Sequence, residues 1–185
     1  MVIGRGRLPN LPPFFFFDGR EAGTVMFLLL MRHADAADGG GDDRSRVLSE
    51  YGGKQALAMG DWLRRIGVQP GTVISSPYPR AVETADLVVS RLENAGLVKT
   101  DDRLAPGMTV DEGSALIHEC GDNARCVLLT GHAPDMGDLI GHLIGADGAA
   151  IVMRKGAVAM LETERAGFGG SMLHWLINPN IRADS

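Results

Sequence analysis

Residues 26–35 read MFLLLMRHAD, six apolar side chains followed at once by Arg32, His33, Ala34 and Asp35. A continuous apolar run of that length suits a strand buried on both faces, the kind found inside a parallel sheet. From Met26 onward, short apolar runs alternate with longer stretches of helical period, which is the pattern of an α/β layered domain.

After a polar, glycine-rich loop from Asp38 to Arg46, Ser49 is placed to cap a helix whose Ala56, Met59, Leu63 and Ile66 share one face and which Gly67 ends. Val73 and Ile74 make a second short strand, and Pro79 opens a helix carrying Val82, Ala85, Val89 and Leu92 on one stripe. Thr109 and Glu112 have the spacing of a capping box for a weaker helix reaching about Glu119, and Cys126 to Thr130 (CVLLT) is the third apolar run. Pro134 precedes a helix with Met136, Leu139, Ile140 and Leu143 buried, closed by Gly145. Ala157 to Leu161 and Met172 to Leu176 read as two late strands with no helix between them, hence a hairpin or an antiparallel pair at the sheet edge. No repeat or linker divides residues 26–185, which are read as a single domain.

With 45% apolar residues, 185 residues suffice for one well-filled core. The 18 basic and 23 acidic side chains leave a net charge of −5, which provides no global cationic field for a nucleic acid. No apolar run approaches the roughly 20 residues that span a bilayer, so no membrane role is expected. Cys120 and Cys126 form no metal or redox spacing and are read as free thiols in a reducing cytoplasm. Residues 1–25 mix Arg, Pro and Gly with the block Phe14 to Phe17 and have no period. That block is short for a secretory signal and is followed directly by Asp18, Gly19, Arg20 and Glu21, so the segment is read as a disordered extension, with Met26 as an alternative start.

Each of the three apolar runs ends at a polar cluster: Arg32-His33-Ala34-Asp35, then Ser75-Ser76-Pro77-Tyr78-Pro79-Arg80, then Thr130-Gly131-His132-Ala133-Pro134-Asp135. Ligands of open α/β sheets bind outside the carboxyl ends of the strands. If the three strands are parallel neighbours, two arginines and two histidines meet at one rim, beside helix N-termini that favour an anion. Arginine offers a planar fork of donors with a permanent charge, which suits Arg32 and Arg80 to hold the non-bridging oxygens of a phosphoryl group. A neutral imidazole nitrogen is a competent nucleophile, which suits His33 to form a covalent phosphohistidine, and His132 as a donor stabilises charge on the equatorial oxygens. No ligand cluster for a metal is visible, and no cofactor is expected; the first run is followed by Arg-His-Ala-Asp and not by a dinucleotide fingerprint.

Arg32-His33-Ala34, Ser75-Ser76-Pro77-x-x-Arg80-Ala81 with Glu83-Thr84, and Gly131-His132 resemble the ordered motifs of the histidine phosphatase superfamily. The short chain and the segment Arg46-Val47-Leu48-Ser49-x-x-Gly52 are most similar to its bacterial phosphohistidine phosphatases. The resemblance runs from Met26 to about Leu176. It implies a three-layer α/β/α sandwich with a mostly parallel central sheet, of the phosphoglycerate mutase type. It also implies a catalytic set of His33, Arg32, Arg80 and His132, with Arg46 and Asp35 as substrate contacts. The implied substrate is a phosphohistidine-bearing phosphotransfer protein, handled by a cytoplasmic monomer. Two departures stand out: the segment Asp101 to Gly113 has no glutamate matching the acid of the larger mutases and acid phosphatases, and Ala133 stands where a larger residue is common. Asp35, Asp111 and Asp135 are the acids considered for proton transfer, without a choice among them. Two other functions fit the same residues: hydrolysis of a small phosphomonoester, and phosphoprotein binding without turnover.

Other polar residues have plainer readings. His118, His142 and His174 are expected to be structural or surface histidines, Asp42-Asp43-Arg44 and Asp101-Asp102-Arg103 to be solvated loop charges, and Glu83 either to orient an arginine or to face solvent.

Overall fold

β1 (Met26–Arg32) lies inside a six-stranded sheet, paired in parallel with β4 (Cys126–Gly131) on one side and antiparallel with β5 (Val158–Thr163) on the other. The structure, a computed structural model, describes residues 25–38, 41–121, 125–146 and 151–179. With β2 (Thr72–Ser75), β3 (Val98–Thr100) and β6 (Ser171–Ile177), the strand order is β3-β2-β4-β1-β5-β6. β3, β2, β4 and β1 are parallel, while β5 and β6 form the antiparallel pair expected at one edge. β3 was not anticipated. It is three residues long with no fully buried side chain, so it carries no apolar signal.

Alternation along β1 divides the core in two. Leu28 and Leu30 pack on one face with Val127 and Leu129, beneath α3 (Val110–Gly121) and α4 (Asp135–Leu143). Leu29 and Met31 pack on the other with Leu128 and Val73, beneath α1 (Glu50–Arg65) and α2 (Pro79–Val89). The result is a three-layer α/β/α sandwich around a mostly parallel sheet.

The helix boundaries follow local chemistry. Ser49 Oγ accepts the Gly52 N–H at the start of α1, and Gly67, just past its end, has φ of 78°. At α3, Thr109 and Glu112 close a reciprocal capping box. Met136, Leu139, Ile140 and Leu143 are all fully buried on α4.

The expected stripe on α2 is turned by one residue: Ala81, Thr84, Ala85 and Val88 face the core, while Val82 and Val89 lie at its margin and Leu92 falls beyond the helix end. Thr84 explains the rotation. Its hydroxyl donates to the Arg80 carbonyl (2.6 Å) and accepts from the Ala34 N–H (3.0 Å), so a polar residue is satisfied inside and ties α2 to the segment after β1. Of Asp101-Asp102-Arg103, read as solvated charges, Asp102 is exposed as expected, while Asp101 and Arg103 are engaged. Arg103 donates to both carboxylate oxygens of Glu119 (2.7 and 2.8 Å) and to Asp101, fastening the segment after β3 to α3. The extension read over residues 1–25, with Phe14 to Phe17, lies outside the described residues except for Val25.

One close approach positions the polar cluster after β1. A Cβ on Gly52 would overlap the Asp35 carbonyl oxygen and crowd its backbone nitrogen, so only glycine lets the first turn of α1 pack under residues 33–35. The obstacle is backbone and cannot swing aside. Gly52→Ala should therefore destabilise by about 1–3 kcal/mol, the usual cost of overpacking. Thermal melts should show a fall of about 2–4 °C per kcal/mol, and an unchanged melting temperature would show that the loop relaxes freely.

Candidate active site

β1, β2 and β4 are adjacent and parallel, so their three polar ends meet at one rim. His33 continues the pairing of β1 by donating its N–H to the Gly131 carbonyl (2.9 Å), while its own carbonyl accepts the Gly156 N–H (2.9 Å). Its backbone is thus held from both sides and its ring enters the pocket only 7% exposed.

The ring's orientation fixes its tautomer. Nδ1 lies 2.7 Å from the Ala34 carbonyl, which only accepts, so Nδ1 carries the proton. Nε2 is left with its lone pair and receives the Nε–H of Arg80 at 3.3 Å. Burial, reinforced by the charges of Arg80, Arg32 and Lys155, pushes the imidazole down to about 4 despite the opposing bond to Ala34. His33 is therefore neutral at pH 7, with its free nitrogen turned into the pocket.

His132, 3% exposed, stands opposite, its ring centroid 5.1 Å from that of His33. Nε2 is 2.8 Å from Ser76 Oγ, and Nδ1 sits 3.5 Å from Arg80 Nη2, the outer limit of a hydrogen bond. Burial, then the neighbouring His33 and Arg80, push it down to about 3. The edge of Tyr78 packs 5.3 Å from the His132 ring and its face lies under Arg80, 4.9 Å from the guanidinium carbon.

The two arginines enter differently. Arg80, 4% exposed in the first turn of α2, spreads its fork between the two histidines. Arg32, at the end of β1, donates Nη1 to the Met153 carbonyl (2.9 Å), while its Nε is buried with no hydrogen-bond partner among the described residues. A buried cationic donor without an acceptor is costly unless an anion completes it. The charges of Arg32 and Arg80 both bear on the imidazoles of His33 and His132, so two guanidiniums and two neutral imidazoles gather at one rim. Among the described residues, no three imidazole, thiol or carboxylate groups gather as metal ligands.

The two expected substrate contacts are placed otherwise engaged. Asp35 accepts from Lys155 Nζ (2.6 Å) and Ser49 Oγ (2.7 Å), and its backbone N–H donates to Gln55. Arg46 donates to the carbonyls of Ala37 (3.0 Å) and Ala36 (3.4 Å) and to Asp43 (3.2 Å), folding its own loop. Of the other acids considered, Asp135 accepts the Gly107 N–H and Asp111 lies in the first turn of α3.

Asp43 keeps the solvent exposure expected of a loop charge, and from there its carboxylate also reaches the outer edge of Arg80, 2.9 Å from Nη2. Glu83 neither orients an arginine nor simply faces solvent: it accepts the Leu48 N–H (2.7 Å) and holds the same loop against α2. Ser76 and Tyr78 were quoted in the motif without a role. For Asp43 the only local hint is Arg46, three residues on in the same turn. Its contact with Arg80 spans 37 positions and has no sequence signature.

Comparison with known proteins agrees with this geometry. The model of the histidine phosphatase superfamily (branch 1) matches residues 28–106. Phosphohistidine phosphatase SixA of Escherichia coli K12 is 26% identical over 155 residues, covering 83% of this chain and 94% of its own length. Serine/threonine-protein phosphatase Pgam5 of Drosophila willistoni is 32% identical over 77 residues, 42% of this chain, and the match spans only about a quarter (26%) of that protein. Among solved structures, protein histidine phosphatase SixA complexed with tungstate superposes with a TM-score of 0.77 at 26% identity, covering 83% of this chain and 97% of that one.

The buried pair of imidazoles should titrate far below the ordinary 6.5, the first proton entering near pH 4 as a property of the coupled pair. Side-chain NMR of the empty protein should show two histidine signals unchanged from pH 7 to 5 and lost or perturbed on exchange to His33→Ala and His132→Ala. Midpoints near 6.5 for both would mean that water reaches the rings.

Proposed function

The chain belongs to the histidine phosphatase superfamily, and on that premise we propose that it removes phosphoryl groups from phosphohistidine on a partner protein, through a covalent phosphohistidine on its own His33. The observation that carries the reading is the unprotonated Nε2 of a neutral His33, accepting from the Nε of Arg80 at 3.3 Å while Nδ1–H on the Ala34 carbonyl pins the ring. The similarity of this chain to SixA over most of both lengths supports the substrate class.

In the first step Nε2 attacks phosphorus in line with the bond to the leaving imidazole nitrogen. The new P–N bond forms as the old one breaks, and the departing imidazole takes its proton from solvent. Attack makes the His33 ring cationic, and the Ala34 carbonyl, accepting from Nδ1–H, steadies that charge. Arg32 Nε, buried without a partner among the described residues, and the fork of Arg80 receive the equatorial oxygens.

The Ser76 hydroxyl donates as readily as it accepts, so His132 changes tautomer in place and turns an Nδ1–H toward the phosphoryl group. Water then attacks the same phosphorus from the side the leaving group vacated, releasing phosphate and restoring neutral His33. The two guanidiniums supply the positive charge that a metal ion supplies elsewhere, so the proposed reaction runs without one.

The substrate class also follows from what surrounds the rim. The described helices all belong to the two layers that flank the sheet, and none forms a separate covering subdomain. An open rim accommodates a side chain presented on a protein surface better than a small metabolite, which needs walls to bury it. The leaving imidazole also demands less protonation than an alkoxide, in keeping with a site whose nearest carboxylate is held ionised by arginines.

Rates on a phosphohistidine protein should exceed those on a phosphoserine peptide by at least about tenfold in kcat/KM, roughly 1.4 kcal/mol of discrimination. Rapid quenching with labelled substrate should leave an acid-labile, base-stable label on His33, and His33→Ala should be inactive yet folded. Label elsewhere would end the mechanism, and equal rates on the two substrates would end the phosphohistidine assignment.

A further inference from the structure

Resting on the reading of this pocket as a phosphoryl site, we propose that Asp43 is a positioning residue that aims Arg80 at the phosphoryl group. A guanidinium has two edges able to make paired hydrogen bonds: the side edge, Nε with Nη2, and the end edge, Nη1 with Nη2. The side edge of Arg80 faces the pocket, with Nε on His33 Nε2 (3.3 Å) and Nη2 near His132 Nδ1 (3.5 Å). Among the described residues the end edge is taken by Asp43: Nη1 donates to its backbone carbonyl (2.6 Å) and Nη2 to its Oδ2 (2.9 Å).

Asp43 thus grips the edge that the phosphoryl group does not need. With the end edge clamped, the fork cannot rotate about its long stem, and the two donors that remain point between the imidazoles.

Asp43 is itself held. Its Oδ1 accepts from Nη1 of Arg46 (3.2 Å), which also donates from Nε and Nη2 to the carbonyls of Ala37 and Ala36. The loop it belongs to is fastened to the start of α2 by three further bonds. Arg80 N–H donates to the Arg46 carbonyl (3.2 Å), Leu48 N–H to Glu83 (2.7 Å), and Arg44 Nε to the Tyr78 hydroxyl (3.1 Å). Arg46 therefore acts through Asp43 on Arg80, which gives it a task that needs no contact with substrate. The hydrogen bond from Arg46 and the charge of Arg80 hold the Asp43 carboxyl below its usual range, so the grip is ionic at neutral pH.

A rival reading of the same contact makes Asp43 a competing anion that the phosphoryl group must displace, and the two predict opposite results. If Asp43 positions Arg80, Asp43→Ala should lower kcat about tenfold or more with KM changed much less, since misplacing a catalytic group by about 1 Å can cost ~100-fold. Asp43→Asn keeps a side-chain oxygen acceptor and should recover most of that loss. In an Arg80→Lys background, where no guanidinium edge remains, Asp43→Ala should cost less than about threefold further, because the two changes remove one interaction.

Turnover is measured on a phosphohistidine peptide and on an aryl phosphate, and binding with inorganic phosphate. An unchanged kcat with tighter phosphate binding in Asp43→Ala would establish competition and overturn the proposal. An equal loss in both Arg80 backgrounds would overturn it too, by showing that Asp43 acts elsewhere. Wild-type protein that neither binds phosphate nor turns over either substrate would instead overturn the functional reading, and this inference with it.

Discussion

The site depends on the complete burial of β1. Its side chains from Leu28 to Met31 have no exposure, and its backbone is paired with β4 on one edge and β5 on the other. A strand enclosed on two faces and two edges has no freedom to bend before its last residue, because every buried N–H and C=O must keep its partner. The chain reaches the rim at Arg32 and His33, and the next backbone bonds, to Gly131, Gly156 and Thr84, set the direction in which it leaves. β2 and β4, in parallel register with this strand system, deliver Ser76 and His132 to the same height.

Inside that frame the electrostatics are consistent with one another. Arginines stay charged when half-buried, whereas imidazoles shed their protons, so burial beside Arg32 and Arg80 leaves His33 and His132 neutral. In the proposed reaction the same charges that keep His33 neutral attract the anion that it attacks. Asp43 offsets part of the positive charge from the outer side of Arg80 without entering the space between the rings.

Much of the fold was legible because local chemistry and the global pattern agree. The apolar runs at β1 and β4, Ser49 and Gly67 around α1, and the Thr109–Glu112 box each reflect constraints within a few residues. The stripe of α2 was misjudged because hydrophobicity was taken as the guide to burial, while Thr84 is buried through two hydrogen bonds that replace its contact with water. β3 escaped because an edge strand of three residues, none of them fully buried, has no periodic signal.

The sequence by itself determined which side chains stand at the three strand ends, and thereby the groups available there: two guanidinium forks and two imidazoles. Their type and spacing suffice because a strand's end is set by its own apolar run. Only the tertiary structure decided the tautomer of His33, the burial of Arg32 Nε without a partner among the described residues, and the grip of Asp43 on the end edge of Arg80. Asp35 and Asp43 are both acids near the motif, yet the first is turned to Lys155 and Ser49 and the second to the outer edge of Arg80. That difference arises from contacts between residues 14 to 120 positions apart, where direction and distance follow from packing and leave no trace in local composition.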